Sequence, residues 1–415
     1  MRARMLAWLA GAIAVLAGAP AAAPAATAYV LTCSCADVVE VIDTATRSHA
    51  GTIGVGSMPQ AIAVTRDGRT AFTANVGDGS ISVIDGATRT TARTIALGDD
   101  LAPFALAVSP DGATLWVFVI NTDIADEELL AVDVASGAIV DRATVPFFAP
   151  GFEQIAIAPA GDRLYAAVTL TGQLLRFDLT QPGFPSVDIS PADPNFQPSG
   201  VTVAPNGTVY VSDAGNGASP RVWRLNPDGT TIDAIPLPDP GGGAPAGVAL
   251  DPAGARAWVS GTPADEATEI DTATKATAAT TGVGGMTMPV AVSPDGDAIL
   301  LGALDDPLVY VVDPQTRARV AAIPVADTPT AIVVAPTPPR PAAVGGRPVV
   351  RSVSPAEGPA TGGQEVRIEG ANFATGVRVL FGDTPAATAR VVDFNTLVAT
   401  TPPGAAGPVR VQVVA

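Results

Sequence analysis

One histidine, two cysteines and 40 acidic residues leave carboxylates as the main chemistry open to this chain. His49, the only histidine, is expected in an edge strand at the rim, which removes Ser-His-Asp, Cys-His and His-rich metal chemistry, so no catalytic set is assigned. Asp126, Glu127 and Glu128 are the densest acidic run. A carboxylate pair can act unaided, as in glycoside hydrolysis, but solvated charge in a loop is the favoured reading. Asp37, Asp78, Asp123, Asp213, Asp265, Glu266, Asp305 and Asp306 are further oxygen donors of the kind Ca²⁺ prefers. No D-x-D-x-D-G loop accompanies them, so neither a cofactor nor a resident metal is expected, Ca²⁺ being the one alternative. Cys33 and Cys35 form a C-x-C at a strand end. A strained local disulfide, two free thiols and a bond to a partner all remain open. Phe147, Phe148, Phe152, Phe184 and Phe196 fall in long loops, where they either cap the core or form an apolar contact patch.

The elements that must position these residues repeat. An apolar-Asp step occurs at Ile42-Asp43, Ile84-Asp85, Val132-Asp133, Phe177-Asp178, Leu225-Asn226, Ile270-Asp271 and Val312-Asp313, at spacings of 42 to 48 residues. Each step lies among short apolar runs bounded by turn signals such as Asp67-Gly68, Asp111-Gly112 and Asp295-Gly296. In the second unit, strands are expected over 71–75, 80–85, 90–97 and 104–108, and Asp85 is placed to accept backbone N–H bonds in its turn. The last of these runs, Phe104 to Val108, is small and apolar, as suits a strand buried on both faces. Four strands per period in the forties predict an all-β propeller of seven blades. The chain enters at Tyr29 to Thr32 without a leading strand and leaves with a surplus one, 330–335. Pairing these two is expected to shut the ring. On this mapping the acidic residues above cluster at one end, the top. Arg47, Arg89, Arg142, Lys275 and Arg317 collect at the other, predicting a more basic bottom. Units three to five carry insertions at 125–128, 181–196 and 239–243.

The second unit resembles the YVTN-type β-propeller repeat family, through Thr73 to Asp85 (TANVGDGSISVID) and Pro103 to Gly112 (PFALAVSPDG). The first unit is similar, through Val41 to Thr46 and Pro59 to Gly68. The resemblance covers about three quarters of the chain. It implies a fold, not an activity, because such propellers serve as surface proteins, binding modules and enzymes.

After the proline-rich spacer 339–348 the period disappears. Gly362-Gly363, Gly370-Ala371-Asn372-Phe373 and Phe381-Gly382 lie among short strands from Val349 to Ala415. They resemble landmarks of the IPT/TIG immunoglobulin-like domains, which implies a small β-sandwich over 349–415. One more strand is expected beyond Val409 to Val414, so either another molecule finishes the edge or the domain is truncated, the second being the favoured reading.

Residues 1–28 read as a signal peptide. Arg2 and Arg4 precede an apolar run from Met5 to Ala19, followed by Ala26-Thr27-Ala28 as cleavage site, with Ala21-Ala22-Ala23 as its rival. No later stretch is long enough for a membrane helix. The formal charge is −17, which repels nucleic acid and anionic membranes. The expectation is a secreted or periplasmic, envelope-associated monomer that binds a protein or surface glycan through its top face, with the tail as spacer or docking module. A lactonase- or lyase-like enzyme using top-face carboxylates and a divalent cation is the first alternative, and a surface-layer or matrix component the second.

Overall fold

The computed structural model describes residues 26–414 except 34–35, 125, 146–153, 218, 239–243, 262–266, 280–282, 284–286, 339–348, 372, 374–377, 392–395, 406 and 408. Every element in these residues is a strand, and the larger part of the chain is a β-propeller. Among them, residues 26–336 form seven four-stranded antiparallel sheets. Their innermost strands are Pro329–Pro336, Pro59–Val64, Leu101–Val108, Gln154–Ile157, Pro198–Val203, Gly247–Leu250 and Thr287–Val292, and each meets the next in a closed ring. In the first sheet Pro329–Pro336 pairs antiparallel with Ala26–Thr32, from Ala26 opposite Pro336 to Thr32 opposite Pro329. The entering strand therefore starts at Ala26, ahead of the expected Tyr29, and all of its residues are buried.

One register position explains how neighbouring sheets adhere. Opposite the residue two before the Asp or Asn of each step lie Tyr29, Phe72, Trp116, Tyr165, Tyr210, Trp258 and Leu300. Each packs into a cluster shared with the following sheet: Tyr29 against Ile62, Ala71 and Ile84, Trp258 against Ile299 and Val312. The seventh cluster joins Leu300 to Ala28, Val30 and Ile42 of the first sheet. A large flat ring fills the wedge between twisted sheets, at a site where period-2 alternation reports only "buried".

The step aspartates act through their turns. Asp85 accepts the N–H groups of Ala87 and Thr88 at 2.9 and 2.8 Å, and Asp313 those of Gln315 and Thr316, each at 2.8 Å. Turn hydrogen bonds, led by the Ser136 and Thr180 hydroxyls for Asp133 and Asp178 and by the backbone N–H groups of Thr274 and Thr316 for Asp271 and Asp313, hold these carboxyls below the usual carboxylate range. Four of these turns place a long cation at positive φ: Arg47, Arg89, Lys275 and Arg317, at 53°, 57°, 64° and 60°. The strain is offset by reach into the preceding sheet. Arg89 Nη2 donates to Thr27 Oγ1 at 3.3 Å, Lys275 Nζ lies 2.6 Å from Asp233 Oδ2, and Arg317 pairs with the buried Glu269.

These contacts correct the expected basic bottom. Arg89, Lys275 and Arg317 are tied down between sheets, and the inner-turn carboxylates Asp67, Asp111, Asp251 and Asp295 share that end. Arg142 is not a turn residue at all. The equivalent turn position is Gly137, φ 77°, and Arg142 lies mid-strand in Ile139–Val145.

Asp233 is the best-bonded of the clamps. It receives Arg224 Nε and Nη2, both at 2.6 Å, and Lys275. The Arg224 fork, followed by Lys275, holds its carboxyl down to about 2. A depressed folded-state value stabilises above the unfolded value near 4, and the benefit fades as pH falls through about 2. Asp233→Asn is therefore expected to cost about 2 kcal/mol at neutral pH. The gap between variant and parent in denaturant melts should close toward pH 2, and a pH-independent gap would contradict this account.

The tail is an immunoglobulin-like sandwich. One sheet orders Val349–Ser354, Glu365–Ala371, Thr396–Thr400 and Thr388–Val391. The other orders Thr384–Pro385, Arg378–Phe381 and Val411–Val414. Val366, Ile368, Phe373, Val379, Leu397 and Val413 fill its core. A Cβ on Gly370 would lie 1.9 Å from the Val349 carbonyl oxygen, which is why that landmark position carries glycine.

Candidate binding face

Successive strands alternate direction, so the turns joining second to third strands share one end with the connections between sheets. Asp37, Asp78, Asp123, Asp213, Asp305 and Asp306 all sit at this top end. Their roles differ. Asp213 is fully buried and accepts Gln197 N, Gly215 N and Trp223 Nε1 at 2.8, 2.8 and 2.7 Å. It is an internal staple, not the exposed binding residue the sequence reading made it. Asp37 and Asp78 are exposed but hold the loop before Pro59, accepting Met58 N at 3.0 Å and Ser57 N at 2.9 Å. Asp305 and Asp306 are exposed. Asp265, Glu266, Phe147, Phe148, Phe152 and Cys35 lie outside the described residues, and Cys33 is an exposed free thiol.

One further expectation is corrected, and for two of the loop phenylalanines the core-capping reading holds. Asp126, Glu127 and Glu128 are not a solvated loop: they open the strand Asp126–Asp133, and Glu127 and Glu128 are 1% and 6% exposed. Glu127 is paired with Ile120 and Val145 and Glu128 with Val119 and Thr144, so both lie inside the sheet. Phe184 and Phe196 are core, not contact patch. Phe184 stands edge-on to Trp116 at 4.9 Å and Phe196 to Trp223 at 6.5 Å.

Between the second and third sheets the top face opens into a cavity of about 260 Å³, lined by Leu97, Gly98, Asp100, Leu101, Asn121, Asp123 and Arg142. Leu97 and Leu101 make an apolar floor. Asn121 Nδ2 donates to Glu128 Oε2 at 3.1 Å, and Arg142 lies 3.6 Å from the same oxygen. At the rim the Asp123 charge pushes the Asp100 carboxyl above its ordinary range, with Asp99 adding to it. Beside Asp123 stands Ile124, 55% exposed, and the same end exposes Leu170, Met58 and Met288 at 71%, 47% and 38%. The signal for Ile124 and Leu170 was present in the sequence: a large apolar residue in a tight turn, where Gly, Asp or Asn is usual. The mouth of the channel is neutral at its described positions, with Gln60, Phe104, Ser199, Met288 and Thr330 at matching places on the innermost strands. Among the described residues no group of three or more His, Cys, Asp or Glu side chains is arranged to hold a metal ion, and no helix is long and apolar enough to cross a membrane.

Strand topology and site together define the class: an all-β protein with a propeller followed by an immunoglobulin-like domain. Residues 348–415 match the IPT/TIG domain family. The fold is similar to hydrazine synthase from Kuenenia stuttgartiensis, at 20% identity over 66% of this chain and 89% of that one, TM-score 0.55. It is similar to the Cps50 (Swd1) β-propeller domain of Myceliophteria thermophila, at 13% identity over 75% and 94%, TM-score 0.55. A functionally unknown protein from Desulfotomaculum acetoxidans DSM 771 aligns at 12% identity over 74% and 98%, TM-score 0.60. At these identities the likeness is one of fold alone. No curated protein matches the chain.

Proposed function

We propose that the chain is an exported, non-catalytic binding scaffold, with a leader, a seven-bladed propeller closed by its terminal strands, a spacer over 339–348, and the Ig-like domain as spacer or docking module. The propeller presents its top face to a protein partner. The observation that carries this reading is the coincidence, on one end, of exposed Met58, Ile124, Leu170 and Met288 with the exposed carboxylates Asp78, Asp100, Asp123, Asp305 and Asp306. Apolar anchors inside an acidic rim fit a segment that combines cationic and apolar side chains. Lysine stems can lie along Leu97 and Leu101 while their ammonium groups meet Asp100 and Asp123.

The test is a peptide array probed with the full chain and with an Ile124→Ser, Leu170→Ser variant of unchanged melting temperature. Basic peptides bearing apolar residues are expected to retain the parent. The variant should bind about tenfold more weakly, the usual cost of losing buried anchors. Equal binding by both proteins, or preference for acidic peptides, would sink this reading.

A further inference from the structure

The leader read from the sequence was assigned to end at Ala28, but the structure uses Ala26, Thr27 and Ala28 to shut the ring. The Ala26 carbonyl accepts Thr44 N at 3.1 Å and Thr44 Oγ1 at 2.9 Å. Thr27 Oγ1 is hydrogen-bonded to Thr337 Oγ1 at 2.8 Å and accepts Arg89 Nη2. All three residues are nearly or fully buried, and each is paired on both sides, with 42–44 and with 334–336. A chain beginning at Tyr29 would lose those contacts, including the pairings of Ala26, Thr27 and Ala28 with 334–336 that help shut the ring.

Immediately upstream, outside the described residues, the sequence reads Ala23-Pro24-Ala25, a small-x-small triplet of the kind that precedes leader cleavage. The other triplet, Ala21-Ala22-Ala23, would put Pro24 directly after the scissile bond, where its ring removes the N–H and fixes φ in a segment a protease must hold extended. We propose that a leader peptidase cleaves between Ala25 and Ala26, so that the mature chain begins at the first residue of the closure strand. Water is the only co-reactant: the C–N bond breaks, hydroxide adds to the Ala25 carbonyl to leave a carboxylate, and the Ala26 nitrogen departs as an ammonium. Because the bond abuts a strand paired on both sides, hydrolysis precedes ring closure.

This inference rests on the export reading, and one experiment separates the two. The full chain is expressed in an export-competent bacterial host, and exported and cytosolic fractions are analysed by intact mass and N-terminal sequencing. An exported chain starting at Ala26 is the expected result. Any other start in the exported fraction, Tyr29 above all, overturns the cleavage assignment. A chain found only in the cytosol with its leader intact overturns export itself. As an independent check, chains made to start at Ala26 and at Tyr29 are melted. The shorter one is expected to unfold about 5–10 °C lower, and equal melting overturns the structural argument.

Discussion

A chain ended after Thr328 is expected to lose its cooperative unfolding transition near the parent's temperature, whereas one ended after Pro338 keeps it. The shorter truncation removes Pro329–Pro336, the innermost strand of the first sheet, while the longer one removes only the tail. Seven registered pairs between this strand and Ala26–Thr32 disappear, at about 1 kcal/mol for each net hydrogen bond. Ile332 and Val334 also leave the cluster that holds Leu300 of the seventh sheet to Val30 and Ile42 of the first. The remaining ring gains two open edges at one point, and open edges invite strand exchange and aggregation. The combined loss is on the order of 5 kcal/mol or more, a large share of the stability of an ordinary domain. Calorimetry of both truncations decides it. A Thr328-ended chain that melts within a few degrees of the Pro338-ended one would show that the ring does not depend on this pairing.

Trp258→Ala is expected to be the most damaging single substitution among the inter-sheet rings, and Trp258→Phe close to neutral. Trp258 is fully buried against Ile299, Leu301 and Val312 of the next sheet. Truncation to alanine leaves a void between two sheets that cannot collapse without tilting both, so a cost of about 3–5 kcal/mol applies. Phenylalanine keeps most of the packing. It also removes the indole N–H, which has no hydrogen-bond partner among the described residues, and relief of that desolvated donor offsets the smaller ring. Urea melts of the parent and both variants separate the two effects. If phenylalanine destabilises as much as alanine, the indole nitrogen has a partner and the packing account is wrong.

Legibility differed by residue for physical reasons. The step aspartates were readable because an Asx-type turn is a local object: Asp85 and the N–H groups it accepts lie within three residues of it. The glycine landmarks of the tail were readable as residue types, although Gly370 answers to the Val349 carbonyl of the neighbouring strand, a contact the sequence does not show. Burial of charge was not. Glu127 and Glu128 look in sequence like any acidic run, and only the folded chain shows that they are buried within a strand paired on both sides. Asp213 was placed at the correct end, but its exposure depended on Trp223 and Gln197 closing over it, contacts ten and sixteen residues away. The large residue at one register position, Tyr29, Phe72, Trp116, Tyr165, Tyr210 or Trp258, acts as a wedge only through the neighbouring sheet.

The sequence by itself determined the all-β class, the repeating turn chemistry, the presence of a propeller and a C-terminal Ig-like domain, and the acidic character of the chain. These follow from local periodicity and composition, which need no knowledge of which strands meet. Tertiary structure alone decided which carboxylates are free and which are tied: Asp233 to Arg224 and Lys275, Glu269 to Arg256 and Arg317. It also decided that Asp100 and Asp123 converge over Leu97 and Leu101. A side chain's charge state and accessibility depend on groups brought near by sheet-to-sheet packing, across tens of residues of chain. The carboxylates that opened the question of chemistry could therefore be sorted into clamps, staples and open rim only after the ring was assembled.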